Sequence, residues 1–305
     1  MDGLAKASIL DIDGVAVPSA VAAPTTAFSV RLLGSALGVS SYTGPAMRVR
    51  RDTAGGTGDD DEADIAFDSG VISLDSAISN ASAGVTATTL GEFINVGTVS
   101  GTTYSNPDSL TVTASCFVDE WKDQSGNATH ASQGTFGSQP QIHSGTVNTD
   151  LITENGKPAL DFSSNKFLTT TSDVVLSEKT HSCVGTFAAA IRVWYGKDGN
   201  NYIATFSNQV VYRAGSLQSN GSDTPSGQTL YIFTRDATTN NLWSKNGANL
   251  TMSAGVTASQ SLNNIGGFSP YHHNNNLQEL VTWSSNYVSS RSGIETNING
   301  FFGIY

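Results

Sequence analysis

From Cys116 onward the chain alternates short apolar runs with clusters of Gly, Asn and Asp. The runs are Ala159 to Phe162, Ser182 to Phe187, Ile191 to Tyr195, Asn201 to Phe206, Thr229 to Thr234 and Leu242 to Lys245. Short β-branched and aromatic segments bounded by turn residues fit strands, and many of them in succession predict an antiparallel sandwich of jelly-roll type. Lys197-Asp-Gly-Asn-Asn201 reads as a hairpin turn, because Asp-Gly supplies the positive φ angles of tight connections. Leu277-Gln-Glu-Leu-Val-Thr-Trp283 reads as a last strand. Ile294, Ile298 and Phe301 recur at helical spacing and predict a closing helix laid on the body.

The first third of the chain is less regular. Apolar residues at Phe28, Leu32, Leu33 and Leu37, with Thr25 or Thr26 as a cap, predict a short helix weakened by Gly34. Met47 to Arg51 and Ala63 to Phe67 predict a hairpin whose loop carries Gly55, Gly56, Gly58 and then Asp59-Asp-Asp-Glu62. Residues 73 to 114 hold two helical patches, Leu74 to Ile78 and Leu90 to Ile94, within a small-residue wrapping. Before all of this, Ile9 to Val17 alternates apolar and acidic residues, and Pro18 and Pro24 interrupt any regular element. Residues 1–27 therefore read as an extended arm, with Ile9, Ile12, Val15 and Val17 as assembly contacts added to a neighbour's sheet edge. An arm folded back on its own domain is the other reading. The expected organisation is an arm over 1–27, a mixed α/β elaboration over 28–114 and a β-sandwich with its closing helix over 115–305.

Composition narrows the partners. Of 305 residues only 13% are charged, 31 are glycine, and the formal net charge is -11. That field repels a phosphate backbone, so no nucleic-acid partner is expected. Arg48, Arg50 and Arg51 form the one basic cluster; strand alternation places Arg48 and Arg50 on one face, with the acidic loop near enough to pair with them. No run of about 18 apolar residues occurs, so no membrane-crossing helix and no membrane partner are expected. Ala20-Val-Ala22 looks like a signal-peptide cleavage site, but Asp11, Asp13 and Gly14 interrupt the apolar segment that should precede it. A soluble protein made in the cytoplasm is the expectation. Cys116 and Cys183 are expected as buried free thiols, with a single bridge as the alternative.

The most distinctive segment is Phe117-Val-Asp-Glu-Trp-Lys-Asp-Gln-Ser-Gly-Asn-Ala-Thr-His-Ala-Ser-Gln133. Phe117, Val118 and Trp121 suit a half-buried strand, with Trp121 inward. Asp123, Gln124, Ser125, Gly126 and Asn127 suit a structural turn, with Asp123 bonding the turn's amides. Followed by Gln139-Pro-Gln-Ile142 and Asn155-Gly-Lys-Pro-Ala-Leu-Asp-Phe162, this segment resembles the concanavalin A-like (laminin G-like) domains of tailed-phage virion proteins. It is also similar to the amino-terminal part of fungal α-L-arabinofuranosidase B domains. The likeness extends from Phe28-Ser-Val-Arg-Leu-Leu33 and Ser41-Tyr-Thr-Gly-Pro45 to the closing Arg291–Tyr305 segment. It implies an all-β, concanavalin A-like jelly roll with minor α content. It also implies a structural virion protein of a tailed bacteriophage, serving in capsid decoration, a fibre or the tail. The implied partners are other virion proteins in a multicopy or homo-oligomeric assembly, and a host-surface glycan. A carbohydrate-binding adhesin is the second reading and a glycoside hydrolase the third.

Hydrolysis of a glycoside uses two carboxylates flanking the scissile bond. The adjacent cysteines and following glutamate of the arabinofuranosidase pattern have no counterpart here, and neither does the Glu-x-Asp-x-x-Glu strand of bacterial β-glucanases. The late strand reads Gln278-Glu-Leu-Val-Thr282, leaving Glu279 alone. Alternation separates Asp119 from Glu120. The expectation is therefore no catalytic residue, no enzyme, no cofactor and no metal. Asp59 to Glu62 reads as a solvated loop tip, with a Ca²⁺ site as the alternative. His272 and His273 diverge in extended chain and read as loop residues. Trp194, Tyr195 and Trp243 have two readings, core filling or stacking on sugar rings. In the second they join Asp198, Asn200, Tyr271 and His272 as candidate ligand contacts.

Overall fold

The computed structural model describes residues 21–55, 59–95, 114–188, 192–206, 209–215, 217–235, 241–251 and 258–305. The arm contacts Ile9, Ile12, Val15 and Val17 lie outside the described residues. One sheet runs in the order Ala248–Asn249, Asn241–Lys245, Gly227–Arg235, Lys179–Phe187, Asn276–Trp283. Thr26–Ser29 and Leu160–Asp161 then share the far edge of Asn276–Trp283. The other sheet runs Leu217–Ser222, Gln209–Ala214, Asn201–Thr205, Arg192–Asp198, Gln260–Ile265, Leu168–Leu176, Ala131–Ser132.

The two sheets meet at Ser115–Trp121. On one side this strand pairs with Ala131–Ser132 and Gln141–Ser144, and on the other with Met47–Asp52. Gln141–Ser144 passes the ladder on to Leu160–Asp161. All these ladders are antiparallel, and the result is an all-β sandwich. Its core is aromatic: Tyr212 stacks on Phe233 at 4.5 Å and Trp194 on Tyr231 at 5.0 Å, so rings from the two sheets meet in the middle. Removal from water makes a side chain such as Phe233 worth about 1.5–3 kcal/mol. Residues from 27 to 302 belong to one continuous apolar cluster, so the elaboration over 28–114 and the sandwich share a core.

The expected helix after Thr26 does not form. Thr26–Ser29 is a strand with all four residues buried, in register Thr26↔Thr282 to Ser29↔Glu279. A 3-10 turn at Ser35–Leu37 is what remains of the helix. The reason is tertiary: the open edge of Asn276–Trp283 offers main-chain partners, and Phe28 packs on Trp121 at 5.8 Å. Thr26 and Ala27, assigned to the arm by sequence, therefore lie inside the sheet. Leu74 to Ile78 is likewise not helical, since Ser73 and Ser76 close a turn and Ile78–Ser79 pairs with Glu62–Ile65. Leu90–Ile94 is a helix, capped by the Thr89 hydroxyl, which accepts from the Glu92 amide at 3.3 Å. The closing helix, Arg291–Phe302, buries Ile294, Ile298 and Phe302 rather than Phe301.

Met47–Asp52 and Glu62–Ile65 form the expected hairpin, and the acidic run is laid against the arginines. Arg48 pairs with Glu62 at 2.8 Å, Arg50 with Asp60 at 2.6 Å and Arg51 with Asp61 at 2.5 Å. Asp59 accepts from the Thr53 and Gly55 amides at 2.8 and 2.9 Å. These carboxylates are thus engaged by the protein's own donors. Among the described residues, no group of three His, Cys, Asp or Glu side chains is placed to hold a metal ion. Cys116 and Cys183 are buried free thiols, and burial pushes Cys116 up to about 12, which keeps it protonated.

Candidate functional site

Among the described residues, three places that bear on the sequence expectations concentrate polar or aromatic side chains. The first is the turn after Trp121. Asp123 is 1% exposed, and its carboxylate accepts from the amides of Ala27, Ser125 and Thr129 and from the Ser125 hydroxyl. Gln124 accepts from the Leu33 amide at 2.9 Å and donates to the Arg31 carbonyl at 3.0 Å. Asn127 donates to the carbonyls of Pro24 and Thr25, and Trp121 donates its indole N–H to the Ser29 carbonyl at 3.3 Å. Gly126, at φ +89, lets the chain turn back. The motif clamps residues 24 to 33 and leaves its polar atoms committed to backbone.

The second is Glu279 at the centre of Asn276–Trp283. Its side chain is sealed from solvent and takes hydrogen bonds from Arg31 Nε at 2.8 Å, Arg31 Nη2 at 3.2 Å and the Ser29 hydroxyl at 2.8 Å. Arg31 also reaches Asn297 Oδ1 at 3.0 Å and lies 5.1 Å from the Phe301 ring centre. The carboxylate that stood alone in the sequence is thus the buried partner of a structural cation, tying the amino-terminal strand to the closing helix.

The third lies on the outer face of the second sheet. Ile203 and Tyr212 are cross-strand partners that point into the core, so alternation turns their neighbours Tyr202 and Arg213, also cross-strand partners, outward. Next to Tyr202 in the ladder is Gly196, whose missing side chain lets Phe268 lie against the sheet. Phe268 belongs to a small hairpin, Gly267–Phe268 with Tyr271–His272, which sets the Tyr271 ring edge-on to the Phe268 ring with their centres 6.0 Å apart. Phe206 stands at the tip of the Asn201–Thr205 and Gln209–Ala214 hairpin, held by mutual main-chain bonds with Gln209. Together Val193, Gly199, Tyr202, Phe206, Arg213 and Tyr271 line a cleft of about 200 Å³. Phe206 and Tyr271 are each 38% exposed.

Of the ligand contacts expected from sequence, Tyr271 lies in this cleft. Asp198 and Asn200 flank Gly199 at its rim, where Asp198 Oδ1 accepts from the Asn200 amide at 2.8 Å and serves the turn. Trp194, Tyr195 and Trp243 are core residues at 2%, 0% and 0% exposure, out of reach of a surface ligand. A register shift between Val193 and Tyr195 turns two successive rings inward where plain alternation would expose one. His272 is buried against Phe167 at 5.9 Å. His273, expected in a solvated loop, is fully buried beside Phe187, and burial holds its imidazole down to about 4. Sequence reasoning missed Tyr202, Phe206 and Arg213. The signal was present in the Asn201-Tyr-Ile-Ala-Thr-Phe206 and Val211-Tyr-Arg213 alternation, which opposes an outward Tyr to an outward Arg once the hairpin is drawn.

No family model matches the sequence, and no curated protein matches it. Among solved structures, a GH54 α-L-arabinofuranosidase soaked with a cyclic sulfate inhibitor is 14% identical with a TM-score of 0.53, over 90% of this chain and 62% of that one. An arabinofuranosidase complexed with arabinofuranosyl-α-1,2-xylobiose is 14% identical with a TM-score of 0.49 over the same shares. Trypanosoma rangeli sialidase in complex with the inhibitor DANA is 13% identical with a TM-score of 0.39, over 60% of this chain and 32% of that one. The chain spans about three-fifths of the arabinofuranosidases it matches. At such identity the likeness shows the fold. It also corrects the expectation drawn from missing sequence patterns that the chain is not an enzyme. The first of these structures is a glycoside hydrolase, so the missing sequence patterns do not exclude an enzyme in a chain of this fold.

Proposed function

We propose that the chain is a saccharide-binding β-sandwich of a tailed-phage particle, using the cleft between Tyr202, Phe206 and Tyr271. The observation that supports it most is the contrast between the two kinds of aromatic residue. Trp121, Trp194, Trp243 and Trp283 are all buried, while Phe206 and Tyr271 stand at the surface and converge with Tyr202 on one concavity. Exposed rings around a shallow cleft offer flat apolar surfaces to the C–H faces of a sugar ring, with hydroxyls left to the rim. Placement on a virion, as capsid decoration, fibre or tail component, is supported by the resemblance of the Trp121–Asn127 turn and its flanking segments to virion sandwich domains. The bound saccharide would then belong to the host surface.

The test is binding of the full chain to a panel of immobilised oligosaccharides, wild type against Tyr202→Ala and Phe206→Ala. At least one saccharide should be retained by the wild type and lost, tenfold or more, by both variants. Equal retention by all three proteins would refute the cleft as the site. Release of reducing sugar, followed in the same wells, shows whether binding leads on to hydrolysis. Antibody labelling of phage particles from cells that make the chain tests the location, and unlabelled particles would count against it.

A further inference from the structure

We infer that the saccharide held in this cleft carries a carboxylate, and that Arg213 is the residue that anchors it. The inference deepens the saccharide-binding reading and rests on it. Arg213 lines the cleft directly opposite Tyr202, and its guanidinium carbon lies 5.9 Å from the Tyr202 ring centre. Its Nε donates to the Gly215 carbonyl at 3.3 Å, which fixes the plane of the group. Neither terminal amine meets an acceptor among the residues whose side chains the structure describes.

That is unusual for this chain. Acids outnumber bases by 26 to 15, and Arg31, Arg48, Arg50, Arg51 and Arg291 each pair with a carboxylate. Among the described residues Arg213 has no such pair and no carboxylate lines its cleft; Asp198 at the rim is taken up by the Asn200 amide and the Asn201 side chain. A guanidinium presents a planar fork of donors that matches a carboxylate in two parallel hydrogen bonds, and it stacks on aromatic faces while doing so. Its position at the edge of the aromatic surface fits a sugar acid in particular. A hexopyranuronic acid lying flat on Tyr202 and Tyr271 carries its equatorial carboxylate at the perimeter, where the guanidinium waits, whereas an α-linked ulosonic acid holds its carboxylate axially and would meet Arg213 from the ring face.

Size and charge restrict the ligand further. About 200 Å³ is below the 300–1,000 Å³ of sites for drug-sized ligands, so the cleft has room for roughly one sugar residue. A net charge of -11 repels a dense polyanion at long range. A terminal or isolated acidic residue is therefore the expected occupant. Hexuronic and ulosonic acids present the same chemistry, a carboxylate on a pyranose.

The experiment uses the full chain and four soluble probes in calorimetric titration: a galacturonic acid trimer, its carboxyl-reduced galactose counterpart, N-acetylneuraminyl-lactose and lactose. The wild type should bind at least one acidic probe tenfold or more tighter than its neutral partner, and the tighter acid identifies the source. Arg213→Gln should abolish that preference, and Arg213→Lys should keep part of it. Tyr271→Ala should weaken acidic and neutral probes alike. Equal affinity for acidic and neutral partners would overturn the role of Arg213 while leaving the saccharide site standing. Binding of no probe by folded wild type, together with no retention on the wider panel, would overturn both. Should Arg213→Gln fail to fold, the acid-against-neutral comparison is made on the wild type and on Arg213→Lys, and an undiminished preference in the lysine variant would overturn the anchoring role.

Discussion

Asp123 and Ala27, 96 positions apart in the chain, are joined by a 2.8 Å hydrogen bond from the Ala27 amide to the Asp123 carboxylate. The same carboxylate closes its own turn through Ser125 and Thr129. One side chain therefore fixes both the local turn and the entry of the Thr26–Ser29 strand into the sheet. Replacing it by alanine would leave three amides without their acceptor, that of Ala27 buried and those of Ser125 and Thr129 part-buried, and a buried one costs about 1–3 kcal/mol when left unpaired. Asp123→Ala should lower stability by about 3 kcal/mol or more in urea unfolding. Asp123→Asn keeps one acceptor oxygen and should lie between it and the wild type. An alanine variant within 1 kcal/mol of wild type would show that the clamp is dispensable.

The buried pair of Arg31 and Glu279 gives a second, independent measure of how the amino-terminal segment is held. A buried pair broken on one side leaves an uncompensated charge, at a cost of about 3–5 kcal/mol. Glu279→Ala should show that loss, because Arg31 would keep Asn297 and the aromatic rings but no anion. The double variant Arg31→Met with Glu279→Leu removes both charges and should recover much of it. If the double variant is as unstable as the sum of the two single ones, the carboxylate is not there to balance Arg31.

How far the sequence carried depended on whether a segment's fate was local. Runs bounded by turn residues, such as Asn241–Lys245 and Gly227–Arg235, became strands where they were expected. Leu168–Leu176 was missed because Thr, Ser and Asp dilute its apolar signal. Phe28, Leu32, Leu33 and Leu37 mimic a helical face, but the open edge beside Leu280 outbids local propensity. At the candidate site the same limit applied. Trp194 and Trp243 drew notice by size, whereas Tyr202 and Arg213 become neighbours only through the pairing of two strands.

His273 makes the stability of the fold depend on pH. It is fully buried, and desolvation is the main reason its imidazole is held down to about 4; Arg192 adds to this, while the Asn276 carbonyl and Asp161 oppose it. In the unfolded chain a histidine titrates near 6.5. Between roughly pH 6.5 and 4 the unfolded chain takes up a proton that the folded chain refuses, so stability falls as pH falls across that window. Above it both states are neutral, and below it both are charged. The full contribution is roughly 3 kcal/mol. His273→Gln should reduce the loss of stability between pH 7 and pH 4 by about that amount in urea titrations. His181, also buried and held low by desolvation, will retain a slope of the same sign. Parallel pH profiles for variant and wild type would rule His273 out as a source of the dependence.

Trp194 and Tyr271 were grouped as ligand contacts by sequence, and the structure separates them into a residue of the core and a residue of the surface. Trp194 packs between Phe187 at 4.7 Å and Tyr231 at 5.0 Å, so Trp194→Ala would leave a cavity in the middle of the sandwich. Loss of a large buried aromatic costs about 3–5 kcal/mol. Tyr271 is 38% exposed and touches Phe268 at its edge, so Tyr271→Ala should change stability by less than about 1 kcal/mol. Saccharide retention should show the reverse order. Tyr271→Ala should lose tenfold or more, whereas Trp194→Phe, which keeps a ring in the core, should retain wild-type affinity. Thermal unfolding and oligosaccharide binding measured on the same preparations separate the two effects. A Trp194→Phe protein of normal stability that no longer binds would move the site away from the cleft at Tyr202 and Tyr271.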